Sequence, residues 1–178
     1  EELARIVADA RRGGLLAGKR GVVNFHLGDG PSGLAPLRRL VDETEIPIGQ
    51  LLPTHVNRNP ALFEESIAWA LGGGLVDLTT SSVPADYEAG VVKASAGLAR
   101  MLEAGVDPSL VTFTSDGQGS LPDYDPEGRL RGLGLGRVTS LLAEVRDAVL
   151  VEGVPLEVAL SVATRNPARA LGLPRKGA

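Results

Sequence analysis

Three side chains with ligand or acid–base chemistry occur at comparable places in the chain. The only two histidines, His26 and His55, each end a short apolar run, and Asp116 follows another such run. Imidazole nitrogens and carboxylate oxygens bind Zn²⁺ and other divalent ions, and a carboxylate can also exchange a proton with water. These residue types therefore suit metal-assisted hydrolysis. Because the sequence contains no cysteine, thiolate ligands and disulfides are excluded.

Each of these residues, taken alone, also has a purely structural interpretation. A histidine at a strand end can be a hydrogen-bonded structural residue, and Asp116, between Ser115 and Gly117, has the neighbours of a turn or a helix cap. Their common placement favours function, because the carboxyl ends of parallel strands form the functional face of α/β proteins. We therefore expect the two imidazoles and the carboxylate to lie near one another.

Strand-like and helix-like segments alternate along the chain. Short apolar runs predict strands at 21–26, 51–55, 75–80 and 110–114. Helical spacing predicts helices at 2–17, 34–41, 61–71 and about 90–104, and then at 138–151, 155–163 and 166–171. Strands that alternate with helices of this length indicate parallel βα units of the size found in a TIM barrel.

The predicted fold class is α/β, a partial (β/α)8 TIM-like barrel followed by C-terminal helices. About four parallel βα units in a single domain, 1–178, are too few to close a barrel, which needs eight. Segment 121–133 is so rich in turn-forming residues that we expect a long loop there, without a strand, shaping or covering the site.

Composition restricts the partners. A net charge of −4, a pI near 5.2 and the lack of a basic run argue against nucleic acid and anionic membranes. No apolar stretch reaches the ~18–20 residues of a membrane span, and the absence of cysteine suits a reducing cytoplasm. A small-molecule substrate is the remaining expectation. A dinucleotide site at the glycines of 132–136 is disfavoured, because they follow a polar loop rather than a strand. A phosphate site at Gly117 and Gly119 is disfavoured because the neighbouring Asp116 would repel phosphate.

Several motifs resemble consecutive segments of the isoaspartyl (β-aspartyl) dipeptidases of the amidohydrolase superfamily. They are GVVNFHLGD at 21–29, LLPTHVNRN at 51–59, TSDGQGS at 114–120 and RNPARALGL at 165–173. The THVNRN run is the most specific of them, since a lone strand-end His or Asp would mark only the superfamily. The resemblance extends over nearly the whole chain and implies that it corresponds to barrel strands 5–8.

The resemblance also implies roles for five residues. His26 and His55 match the metal-ligand positions of the fifth and sixth strands, and Asp116 matches the eighth-strand carboxylate that acts as both metal ligand and catalytic proton shuttle. Arg58 and Ser120 match substrate-binding positions. The implied activity is hydrolysis of β-aspartyl dipeptides by a metal-bound hydroxide, with two Zn²⁺ or other divalent ions, in a homo-oligomer. Without the resemblance, an arginine after a strand is more often a solvated surface residue.

The sequence also departs from the family pattern. The family uses a His-x-His pair on the first strand and a carboxylated lysine on the fourth, and no histidine precedes His26. The upstream half-barrel and the small β domain are absent from the sequence, so we expect the 178-residue chain alone to be inactive. Two alternatives remain: another amidohydrolase, dihydroorotase-like or deaminase-like, and a noncatalytic half-barrel that acts as a binding or assembly module.

Overall fold

Four parallel strands, arranged in sequence order, form the centre of the structure. The structure is a computed structural model that describes residues 1–125, 127 and 129–176. The strands are β1 (Val23–His26), β2 (Leu51–Thr54), β3 (Val76–Thr79) and β4 (Val111–Thr114). Each pairs in parallel with the next, which confirms the predicted βα organisation.

Helices precede the sheet, follow each of its first three strands and end the described part of the chain. The α-helices are α1 (Glu2–Leu16), α2 (Ala35–Glu43), α3 (Pro60–Leu71), α4 (Pro84–Glu88), α5 (Ala94–Glu103), α6 (Ser140–Leu150), α7 (Leu156–Ser161) and α8 (Arg165–Leu171), with short 3-10 helices at Ile48–Gln50 and Pro108–Leu110. The core between helices and sheet is aliphatic apart from Trp69, Phe63, Phe113 and Met101.

The connection from α3 to β3 shows how local sequence fixes this packing. The indole Nε1 of buried Trp69 donates to the carbonyl oxygen of Leu75, at 3.0 Å, directly before β3. A Cβ at Gly74 would lie 2.0 Å from the same nitrogen, so only glycine fits against the indole ring. The Gly72–Gly74 run therefore ends the helix and leaves room for the Trp69 indole to pack in the core.

Polar side chains connect the later helices to the sheet. The amide of buried Asn166, in α8, donates to the carbonyl oxygens of Pro108 and Val111, at 2.7 and 2.8 Å, and so attaches this helix to the start of β4. Between α5 and α6, buried Glu144 accepts from the backbone N–H of Ser95 at 2.8 Å. These bonds satisfy polar groups that burial would otherwise leave without partners.

The prediction that segment 121–133 is a loop without a strand is wrong. Strands β5 (Ser120–Tyr124) and β6 (Leu130–Leu135) form an antiparallel hairpin there. The turn-forming residues concentrate at the hairpin end, where Asp125 accepts hydrogen bonds from the backbone N–H groups of Glu127 and Arg129. Pro122 is compatible with a two-stranded ribbon, whose strands both have a free edge. Glycines within β6 hide the alternation that would have revealed it.

The predicted helix at about 90–104 begins later in the structure, at Ala94, and a short helix that was not predicted, α4, precedes it. Gly90 lies between them with φ +104°, a backbone conformation that ends a helix.

No helix within the described ranges is long and apolar enough to cross a membrane.

Candidate metal and substrate site

The two histidines meet at the carboxyl ends of adjacent strands. His26 is the last residue of β1, and His55 directly follows β2. His55 Nε2 lies 3.0 Å from His26 Nδ1, and His55 Nδ1 lies 2.6 Å from the Thr79 hydroxyl. The ring planes are inclined at 64° with centroids 4.9 Å apart. The facing ring nitrogens are thus brought together by the sheet, as the strand positions predict.

This spacing fits two ligands of one cation. Two nitrogen ligands about 2.0–2.1 Å from a tetrahedral Zn²⁺ lie roughly 3.3 Å apart, close to the distance between the two ring nitrogens. The Thr79 hydroxyl at the opposite nitrogen of His55 fixes the ring orientation, as is usual for a metal-binding histidine. Burial, and next the Arg58 charge, lower the pKa of His55, which favours the neutral imidazole that binds metals. Among the residues that the structure describes, no group of three His, Asp, Glu or Cys side chains is arranged to hold an ion.

Asp116 lies on the same side of the sheet as the histidines. Its charge acts on His55, raising the pKa of that imidazole against the larger opposing effect of burial. The structure thus places all three predicted ligands at one end of the sheet. It pairs the two imidazoles directly, whereas the Asp116 side chain makes no hydrogen bond to either of them.

The backbone is constrained at two of these positions. His55 (φ 63°), Asp116 (φ 46°) and Gln118 (φ 68°) are the non-glycine residues with positive φ in the described part of the chain. A side chain in this left-handed region is disfavoured and persists only where the surrounding structure enforces it. Such positions concentrate at functional sites. Both predicted ligands that follow a strand have this conformation.

The base of the β5–β6 hairpin packs against Asp116. The backbone N–H of Gly119 donates to the Asp116 carbonyl oxygen at 2.9 Å, and the Gly136 N–H donates to the carbonyl oxygen of Gly119. A Cβ at Gly136 would lie 2.4 Å from the Asp116 carbonyl oxygen. The close approach of the segments that follow β4 and β6 explains the glycine at 136, and it holds the hairpin at the strand-end face.

Two asparagines of the THVNRN run anchor the segment that follows His55. The buried Asn57 amide donates to the carbonyl oxygens of Thr79 and Val92 and accepts from the Thr79 N–H, at 2.8–3.0 Å. Asn59 caps α3 by accepting from the Leu62 N–H at 2.9 Å. Asn57 therefore fixes the strand end whose hydroxyl orients His55. Sequence reasoning missed Asn57 and Thr79, and only the position of Asn57 inside the motif could have indicated a role.

Arg58 projects beside the paired imidazoles. Its Nη1 is 3.4 Å from Asp29 Oδ2, and its buried Nε has no hydrogen-bond partner within the described residues. The side chain is 39% exposed, so part of the guanidinium remains accessible to a ligand. Ser120 begins β5 and is exposed. The structure shows no direct bond between Ser120 and the other predicted site residues.

The parallel sheet and the strand-end imidazoles define an α/β protein with part of a candidate metal site. A model of the amidohydrolase family matches residues 19–178, and the chain belongs to that family. Two solved structures of the β-aspartyl dipeptidase of Fervidobacterium islandicum AW-1 are similar to it. One, in complex with β-Asp-Leu dipeptide, has 40% identity and a TM-score of 0.86 over 99% of this chain and 45% of that one. The other has 36% identity and a TM-score of 0.78, over 99% and 44%.

The resemblance stated from the motifs is therefore confirmed at the level of the family and its structural neighbours. The chain spans less than half the length of the solved dipeptidases that it matches.

Proposed function

We propose that the protein containing this chain is a metal-dependent hydrolase of β-aspartyl dipeptides. The observation that supports it most is the 3.0 Å approach of two imidazole nitrogens from adjacent strand ends, inside two of the motifs that resemble the dipeptidases. The likeness to a β-aspartyl dipeptidase solved with β-Asp-Leu dipeptide supports the substrate class.

In this proposal His26 and His55 hold a Zn²⁺ or another divalent cation, one of two in the complete site. A bound cation supplies Lewis acidity to the scissile carbonyl and lowers the pKa of a water molecule. Asp116 accepts the proton of the attacking water and transfers it to the leaving amine. Its enforced backbone conformation and its packing against Gly119 suit a carboxylate that must stay at one position.

Arg58 and Ser120 bind the substrate in this account. A guanidinium binds a carboxylate through two parallel charge-assisted hydrogen bonds, which fix orientation as well as affinity. The 39% exposure of the side chain and the long 3.4 Å contact from Nη1 to Asp29 leave donors for a substrate carboxylate. The accessible guanidinium favours a carboxylate-bearing dipeptide over the neutral bases that deaminases use.

The proposal extends to the organisation of the whole protein. The four-stranded sheet corresponds to strands 5–8 of a barrel whose other half, with the remaining ligands, lies in another segment. We further propose a homo-oligomer in the cytoplasm, without a nucleic-acid or membrane partner. Size-exclusion chromatography with light scattering tests the assembly, and cell fractionation tests the compartment.

The test uses the full-length protein purified with added Zn²⁺. We expect hydrolysis of β-Asp-Leu but not of α-Asp-Leu, loss of activity with a chelator, and recovery on adding Zn²⁺. Dihydroorotate and a nucleobase are assayed beside the dipeptides, because turnover of either would favour the alternative amidohydrolase activities. The 178-residue chain alone should be inactive, since it lacks the remaining ligands.

Matched arginine variants separate substrate binding from general damage. Arg58→Lys keeps the positive charge but loses the planar pair of donors, so KM for β-Asp-Leu should rise while zinc content stays unchanged. Arg39→Ala removes an arginine that is 75% exposed on α2, and it should leave both unchanged. A full-length protein that binds no metal and turns over no substrate would instead support the noncatalytic half-barrel.

A further inference from the structure

A buried carboxylate lies inside the sheet, below the strand-end histidines. Asp77, in β3, is 1% exposed and pairs with Thr54 of β2 and with Thr112 of β4 in the sheet register. Thr54 pairs in turn with His26 of β1. Paired residues of neighbouring strands point to the same face of a sheet. Asp77 therefore shares a face with His26, and none of the proposed roles uses it.

Three threonine hydroxyls from both neighbouring strands donate to this carboxylate. Oδ2 accepts from Thr54 at 2.5 Å and from Thr114 at 2.6 Å, and Oδ1 accepts from Thr112 at 2.7 Å. The carboxylate thus connects β2 to β4 across β3. No lysine or arginine hydrogen-bonds to it or forms an ion pair with it among the described residues.

Two of these threonines adjoin proposed functional residues. Thr54 directly precedes His55, and Thr114 is two residues before Asp116. His55 and Asp116 both have the left-handed backbone conformation, which the surrounding structure must enforce. Thr112 lies farther from its strand end, four positions before Asp116. A hydrogen bond from each neighbouring strand to one carboxylate oxygen fixes the distance between the strand ends.

Stability alone is a poor reason for this arrangement. Burying a carboxylate without a cationic partner is costly, and burial raises the pKa of Asp77 to about 6 even though three hydroxyls donate to it. Well-packed apolar side chains would fill the same space at lower cost. A costly buried polar network that ends beside two functional residues indicates a role in their placement.

We propose that Asp77 is a positioning residue that acts through Thr54 and Thr114 to hold His55 and Asp116 in the geometry of the proposed hydrolase. The inference rests on the proposed function for what those two residues do. Asp77 itself contacts neither cation nor substrate in this account.

The test measures Co²⁺ binding to the metal-stripped full-length protein, without substrate, by titration and by the visible absorption of the bound ion. Asp77→Asn keeps the shape and one acceptor oxygen but removes the second carboxylate oxygen. Loss of a hydrogen bond made directly to a metal ligand typically weakens metal affinity or activity about 10- to 100-fold, and this is the upper limit for a residue that acts through neighbouring threonines. We expect measurably weaker Co²⁺ binding within this limit, an altered absorption band, and a fall in kcat for β-Asp-Leu that exceeds any rise in KM.

Glu144→Gln is the matched control, because Glu144 is also a buried acid with hydrogen bonds but lies between α5 and α6. It should leave Co²⁺ affinity and the absorption band unchanged. An Asp77→Asn protein that melts at a lower temperature yet keeps wild-type affinity, band and kcat would overturn the inference, because only a structural role would remain.

If Asp77→Asn does not fold, threonine variants test whether the hydroxyls that bond to Asp77 position His55 and Asp116. Thr54→Val and Thr114→Val remove the hydroxyls next to the functional residues, and Thr112→Val removes the distant one. The first two should weaken Co²⁺ binding more than the third, and equal effects would refute positioning. A wild-type protein that binds no Co²⁺ also overturns the inference, whereas one that binds Co²⁺ but does not cleave β-Asp-Leu refutes only the proposed substrate.

Discussion

Replacing Asp77 by asparagine should change how the stability of the protein depends on pH. Burial raises the pKa of Asp77 from 3.8 to about 6 in the folded protein. The folded state therefore binds this proton more tightly than the unfolded state does. In consequence, the unfolding free energy falls as the pH rises from about 4 through 6, and the loss is complete near pH 7.

The size of this effect follows from the shift. Each pKa unit corresponds to about 1.4 kcal/mol, so the ionisation of Asp77 lowers the unfolding free energy by about 3 kcal/mol in all, most of it between pH 4 and pH 7. About half of that loss should occur by pH 5. Asparagine does not titrate, so the difference in unfolding free energy between wild type and Asp77→Asn should shift by the same amount in favour of the variant.

Urea unfolding followed by circular dichroism at several pH values measures this difference. A chelator is present throughout, because a cation near the strand ends would favour the carboxylate. Asp42→Asn, on the exposed side of α2, controls for the change in net charge. If the difference in unfolding free energy between wild type and Asp77→Asn stays constant from pH 4 to pH 7, with an unchanged slope against urea concentration, the raised pKa of Asp77 is refuted.

Three further variants test other contacts. Arg58→Ala should raise KM for β-Asp-Leu about 10- to 100-fold, as expected for the loss of hydrogen bonds to a charged group, and an unchanged KM in steady-state assays would exclude carboxylate binding by this side chain. Asn57→Ala leaves backbone groups of Thr79 and Val92 without partners, so thermal unfolding should show a loss of about 1–3 kcal/mol, and an unaltered melting temperature would contradict this. Gly136→Ala places a Cβ 2.4 Å from the Asp116 carbonyl oxygen, so it should lower both the melting temperature and the activity. The control Gly132→Ala meets nothing within 4 Å and should lower neither through such a contact. Equal effects of the two variants would be inconsistent with the packing of Gly136 against Asp116.

The elements of the sheet could be predicted from the sequence because burial on both faces gives parallel strands continuous apolar runs. The strand at 110–114 has such a run, and the helix at 61–71 has its apolar residues at helical spacing. The observed bounds of each differ from the predicted ones by only one residue. The β5–β6 hairpin could not be predicted in this way. Its strands are largely exposed and contain glycine and proline, so neither hydrophobic alternation nor propensity indicates them.

The positions of His26, His55 and Asp116 at strand ends could also be predicted, because parallel strands place their carboxyl ends on one side. Asn57, Thr79 and Asp77 could not, since their roles depend on pairing between strands that are 20 or more residues apart in sequence. Nothing local shows that a threonine hydroxyl will lie 2.6 Å from an imidazole on the next strand. Likewise, the sequence does not indicate the positive φ of His55, because histidine adopts that region more often than most non-glycine residues but still only at a minority of its positions.

The most direct test of the account is anomalous diffraction at the zinc edge from crystals of the full-length protein. The account predicts an anomalous peak within bonding distance, about 2.0–2.1 Å, of the facing ring nitrogens of His26 and His55. Zinc bound elsewhere, with these two imidazoles still bonded to each other at 3.0 Å, would contradict it.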